Sequence, residues 1–286
     1  MIAYETLVHL LKTMPGEEGI VIDISTDVDA VMPVKGCLAG YLYGKMHPAD
    51  AMARMPGFTT AYYARLFSPS CSRFFGSREW SKLLRDVEEL VGLLTMEVAS
   101  YLERGAHVII TARFDLFTEN FLIPFLSSPI IKKYAKVVFV GKESKRCIAE
   151  LLHLVEKIKY NNAVVFLNKI PAAEIMNVRE EILRWATLRK LHLAVLLPLT
   201  KQLYYRDFTE YTSVIMRAQT NPHARTISEI FRRMLAVMYG QEKGGKLMAL
   251  IGGLLSATEL PGTYVTEESQ ASASQVAPSA PFLEHP

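Results

Sequence analysis

The chain has little to cross-link with and nothing obvious to cross a membrane with. Its 286 residues include three cysteines, Cys37, Cys71 and Cys147, set far apart. None forms a CxxC pair or lies near a histidine at metal-ligand spacing. That argues against a zinc site or a disulfide framework and for free buried thiols. No apolar run approaches the roughly 20 residues that span a bilayer. The start, Met1-Ile2-Ala3-Tyr4-Glu5, has no basic stretch leading into an apolar one, so no signal peptide is read and a cytoplasmic location is expected. Excess charge of one sign is also scarce: 32 Lys and Arg against 29 Asp and Glu leave a formal net charge of +3. That balance neither demands nor excludes nucleic acid, which responds to clustered rather than net charge. The seven histidines make no HExxH or triad-like order, and no metal ligand set is read. No internal repeat is apparent.

What is present is half apolar, enough for a well-buried core. Apolar runs of strand length recur at Gly19–Ser25, His107–Thr111, Ala135–Val140, Ala163–Leu167 and Leu193–Leu197. They are continuous rather than alternating, which suits strands buried on both faces. Between them lie helical periodicities. Ser77 is placed to cap one helix whose stripe runs from Trp80 to Val98 and which stops at Arg104-Gly105. A second carries Ile148, Leu151, Leu152, Val155 and Ile158, and a third runs from Ala173 to Leu191. A fourth aligns Ile227, Ile230, Phe231, Met234, Leu235 and Met238. Alternation of this kind predicts an α/β fold: a mainly parallel sheet with helices on both faces. Val31–Gly76, with four prolines and many aromatics, reads as a partly helical insertion or excursion from the sheet. The expected organisation is an α/β domain over 1–240 (insertion about 31–104), a glycine-rich amphipathic segment over 241–263, and a disordered Ser, Ala and Pro-rich tail over 264–286.

Ligands of such sheets bind beyond the carboxyl ends of the strands. Those ends carry Ser25-Thr26-Asp27, Thr111-Ala112-Arg113 and Asn168-Lys169. The run Val164–Lys169, ending in Asn-Lys, resembles the ArsA/MinD/ParA group of P-loop ATPases. There a strand ends in such a pair and the asparagine amide reads the nucleotide base. Leu196-Leu197-Pro198-Leu199-Thr200 is similar to the group's proline-containing loop beside the base, and Asn221–Arg225 to the start of its last helix. Ile24-Ser25-Thr26-Asp27 resembles the switch segment of ArsA-like members, whose aspartate positions the attacking water. The resemblance spans Ile20–Met238. It implies a P-loop NTPase-like fold, ATP or ADP as ligand, and a dimer or another protein as partner. Asn168, Lys169 and Pro198 become base-side candidates, and Asp27 a switch-like one.

The departures concern phosphate and magnesium. The group needs a glycine-rich loop, with lysine and a hydroxyl, whose amides cradle phosphate. That loop and its strand belong before the first helix, and Ile2–Met14 is that helix here. The group's aspartate that holds magnesium through water is replaced by Thr111, so magnesium is left without its ligand. A divergent, hydrolysis-deficient, nucleotide-responsive or structural protein is the leading expectation. An alternative rests on Gly240-Gln241-Glu242-Lys243-Gly244-Gly245-Lys246, which fits GxxxxGK and makes Gly240, Gly245 and Lys246 a candidate phosphate loop. It would open a RecA-like or KaiC-like ATPase unit acting on nucleic acid, provided that a strand precedes it. A third reading is a ligand-free interaction scaffold. The 246–255 stretch also resembles the membrane-targeting tail of MinD-like proteins, but its glycines weaken an isolated helix and argue for docking on the protein's own core.

Overall fold

In the computed structural model, the described residues are 2–25, 34–68, 71–113, 116–142, 145–158, 163–174, 177–178, 180–181, 193–198, 213–251 and 263–265. The chain divides into two compact units, Met1–Ala135 with Arg206–Thr220, and Lys136–Tyr205 with Asn221–Pro286. Each has a four-stranded sheet of its own.

The first unit begins with α1 (Ile2–Thr13), which turns at Pro15-Gly16 into β1 (Gly19–Asp23). Gly16 takes φ 94°, the left-handed conformation for which glycine carries no Cβ penalty. Two short helices follow, α2 (Leu38–Leu42) and α3 (Pro48–Ala51), then β2 (Met52–Arg54) and β3 (Ala61–Arg65). Next come α4 (Ser77–Arg85), α5 (Glu88–Glu103), β4 (His107–Thr111), α6 (Leu116–Ser127) and α7 (Pro129–Tyr134). The later piece contributes α9 (Val214–Arg217). Strand order is β2-β3-β1-β4, with β1 parallel to both β3 and β4 and β2 antiparallel to β3.

Alternation along β1 explains why both faces are covered. Ile20, Ile22 and Ile24 point into one core, with Ala64, Leu66, the α5 residues Leu90, Leu94 and Val98, and Phe121 and Phe125 of α6. Val21 points into the other, with Tyr4, Leu7, Val8 and Leu11 of α1. A continuous apolar run is what two buried faces require, as expected of a parallel sheet. At the amino end of β4, buried His107 meets the Glu17 carboxylate, and its amide donates to the Glu18 carbonyl at 2.8 Å.

Three expectations change here. Cys37 and Cys71 are joined in a disulfide, Cα–Cα 5.5 Å, with both residues fully buried beside Leu38, Leu66 and Phe75. The excursion brings them together, a proximity that their spacing of 34 residues does not reveal. Cys147 remains a half-buried thiol. The expected single helix from Ser77 is two, because Asp86 leaves helical conformation at φ −108°, ψ 82°. Its first cap is Gly76, whose amide donates to the Glu79 carboxylate at 3.1 Å. The excursion is partly helical as expected, but it also supplies β2 and β3. The far end of α5 is as read: Gly105 takes φ 78°, its amide donating to the Leu102 carbonyl at 3.0 Å.

The second unit holds β5 (Val137–Lys142), α8 (Lys145–Ile158), β6 (Ala163–Ile170), β7 (Leu193–Pro198), α10 (Pro222–Ile251) and β8 (Thr263–Val265). Strand order is β5-β6-β7-β8, parallel except for antiparallel β8. Helix α10 starts at a cap where Asn221 Oδ1 accepts the Ala224 amide at 3.1 Å, with Pro222 at the first helical position. Its buried face is the expected one, Ile227, Ile230, Phe231, Met234, Leu235 and Met238. Phe231 packs on Phe166 of β6 at a centroid distance of 5.7 Å. The helix expected over 173–191 lies largely outside the described residues.

Candidate functional site

The carboxyl ends of three parallel strands place Arg65, Asp23 and Thr111 in one row, since Asp23 is in register with both. Asp23 and Arg65 are buried, at 5% and 2% exposure. Each ends an apolar strand, so the β1 and β3 pairing carries two opposite charges into the interior together. Such a pair persists only where hydrogen bonds satisfy it.

The carboxylate has them. Asp23 Oδ1 accepts the Ser25 amide at 3.0 Å and the Ser25 hydroxyl at 2.5 Å. Oδ2 accepts the Tyr63 hydroxyl at 3.0 Å, and Arg65 Nε lies 3.9 Å away. The backbone continues the same clamp: the Leu66 amide donates to the Asp23 carbonyl at 2.7 Å, and the Ile24 amide to the Thr111 carbonyl at 2.9 Å. With both oxygens engaged internally, Asp23 is a positioning group. It fixes Ser25, which precedes Asp27 by two residues in sequence. Asp27 itself lies outside the described residues.

In the second unit the three base-side candidates fall at one sheet end. Asn168 is half-buried in β6 and in register with Lys142 of β5. Lys169 follows it, and Pro198 closes β7 in register with Ile170. The β6–β7 register shifts between Leu167 and Ile170, the positions flanking Asn168 and Lys169. An irregularity of this kind re-aims side chains at a strand end and is common beside functional sites.

The Gly240, Gly245 and Lys246 loop is corrected. Helix α10 runs from Pro222 to Ile251 without a break, so Met234–Tyr239 is helical and no strand leads into the glycines. A phosphate loop needs that strand–loop–helix context, and the amides of a helix interior are committed to its own carbonyls. Among the described residues, no group of three or more His, Cys, Asp or Glu is placed to hold a metal ion. Among them, too, no helix is long and apolar enough to cross a membrane. A groove of about 330 Å³ lies elsewhere on the first unit, between α5 and α7, lined by Ala99, Leu102, Glu103, Pro129, Ile130, Lys133 and Tyr134.

Two solved structures share this arrangement of elements. The MinD cell division protein of Aquifex aeolicus superposes with TM-score 0.53 at 14% identity, over 82% of this chain and 90% of that one. The fold is MinD-like. The MinC:MinD cell division protein complex of the same organism matches at TM-score 0.51 and 14% identity, over 82% and 89% of the two chains. At 14% identity the MinD likeness is one of fold alone. No protein-family model matches the sequence, and no curated protein does.

The expectation of an α/β, P-loop NTPase-like fold therefore holds, now as a MinD-like one. Sequence reasoning stopped at Ser25–Asp27 and missed Asp23, Tyr63 and Arg65. The available signal was a pair of opposite charges, each ending an apolar run, in Gly19-Ile20-Val21-Ile22-Asp23 and Ala61-Tyr62-Tyr63-Ala64-Arg65.

Proposed function

We propose that this chain is a nucleotide-responsive protein of MinD-like fold that does not hydrolyse ATP itself and works through a protein partner or a second copy. The observation that carries the reading is the Arg65–Asp23–Thr111 row. Phosphoryl transfer on this kind of sheet depends on charge neutralisation by metal and cation at the strand ends. Here the β4 end offers the hydroxyl of Thr111, and the neighbouring carboxylate is already engaged by Ser25 and Tyr63. On the base side, Asn168, Lys169 and Pro198 share one sheet end. That supports adenine nucleotide as the ligand, with magnesium contributing little. One of the similar structures is a complex of MinD with MinC, which supports a protein partner.

Calorimetric titration with ATP and with ADP, each with and without magnesium, tests the reading. Saturable heat that is nearly independent of magnesium and is lost in Asn168→Ala is the expected result. Heat that appears only with magnesium would point to a built metal site and sink the proposal. A second reading, an interaction scaffold without a ligand, is favoured by the α5–α7 groove and by Met96 and Tyr134, exposed at 64% and 55%. Absence of heat under all four conditions selects it.

A further inference from the structure

The two edges of the first sheet are built in opposite ways. β2 is a blunt edge: three residues, antiparallel, ending in exposed Arg54. Short length and charge are the usual protections against unwanted strand pairing. β4, at the other edge, has neither. His107-Val108-Ile109-Ile110-Thr111 is parallel, five residues long, free of proline and acidic or basic side chains other than His107, and paired among the described residues with β1 alone.

The hydrogen-bond phase shows which groups face outward. The His107 amide and the Thr111 carbonyl bond to the β1 side. Alternation then turns Ile109 the same way, and directs the amides and carbonyls of Val108 and Ile110 to the outer edge. Both apolar layers also continue to this edge. Val108 and Ile110 join the core containing Ile20 and Ile22, while Ile109 joins the one containing Val21 and α1. All three are only half-buried.

We propose that the outer edge of β4 receives an added strand from another polypeptide. The chemistry of the edge defines the occupant. It offers backbone donors and acceptors at Val108 and Ile110, and a strand seated about 4.8 Å away would extend an apolar layer on each face. The segment must therefore be extended, proline-free, uncharged and apolar on both sides, rich in valine and isoleucine. This inference is independent of nucleotide binding.

Amide hydrogen exchange by NMR on the full chain tests it, with a synthetic peptide carrying a central run of alternating valine and isoleucine and two lysines at each end. Alone, Val108 and Ile110 exchange faster than Ile109. With peptide they slow on the order of tenfold, as new backbone hydrogen bonds require, while Ile109 is unchanged. Ile110→Pro abolishes peptide binding without removing an internal ladder bond, because that amide faces outward. A peptide with proline at its centre gives no protection and serves as the control should that variant fail to fold. The proposal is overturned if the two peptides protect equally, if neither protects, or if Val108 and Ile110 are already as slow as Ile109. Protection that rises with protein concentration alone assigns the edge to a second copy, and overturns the choice of a separate polypeptide.

Discussion

Reduction of the Cys37–Cys71 disulfide should lower the stability of the first unit by an amount the loop itself sets. The bond closes a sequence separation of 34 residues. In the chain-entropy description, restricting a loop of that length in the unfolded state is worth about 3.8 kcal/mol at 25 °C. The unit contains about 150 residues, for which 1 kcal/mol moves the midpoint by about 2–4 °C, so the expected fall is about 8–15 °C. The Cys37→Ala/Cys71→Ala variant should reproduce the effect of reductant. Alanine is the better replacement because serine would add unpartnered hydroxyls among Leu38, Leu66 and Phe75. Differential scanning calorimetry with and without dithiothreitol reads the shift, and a thiol titration in denaturant reads the bond. One reactive thiol, from Cys147, is expected before reduction and three after. Three thiols before reduction, or a midpoint shift below about 3 °C, would refute the reasoning.

Other perturbations have equally definite signs. Asp23→Asn leaves buried Arg65 beside a neutral amide and should cost about 3 kcal/mol, the lower end for breaking a buried pair because the two groups stand 3.9 Å apart; denaturant unfolding measures it. Leu94→Ala empties a fully buried site under β1 and should cost about 2–5 kcal/mol in the same assay. Burial, reinforced by Glu89 and by Glu97 respectively, pushes the Tyr43 and Tyr101 hydroxyls up to about 12. The folded chain then keeps protons that the unfolded chain releases above its ordinary tyrosine value of about 10. Stability should be fully present below that value and fall as pH rises toward 12. Tyr43→Phe should flatten the slope of midpoint against pH in that window.

How far the residues themselves announced this fold differs between its parts. Continuous apolar runs located β1, β4, β5, β6 and β7 because strands covered on both faces have no polar positions to interrupt them. β3 was harder to see. Ala61-Tyr62-Tyr63-Ala64-Arg65 ends in a charge and has two adjacent aromatics, so it reads as packing until Arg65 is known to meet Asp23. The disulfide was invisible for a related reason. Its partners lie within an excursion whose path is set by β2 and β3 joining the sheet, a non-local event with no trace in cysteine spacing. The break at Asp86 lies inside an unbroken apolar stripe, which records burial but not the backbone's direction.

The candidate site divides along the same line. Asn168, Lys169 and Pro198 stand as base-side candidates because they close or follow strong apolar runs, and strand ends are where α/β sheets place ligands. The Asp23 clamp was not, because its members come from two strands whose parallel pairing only the tertiary fold supplies. Gly240–Lys246 shows the reverse error. A seven-residue spacing matched a phosphate loop, yet the apolar face of α10 from Ile227 to Met238 already made the preceding segment a helix.

The most direct test of the central claim is a single-turnover experiment with the protein in excess over radiolabelled ATP and magnesium, followed by recovery of the bound nucleotide. The account predicts that ATP is retained by the wild-type chain, is not retained by Asn168→Ala, and comes back intact. Conversion to ADP on the protein would contradict it.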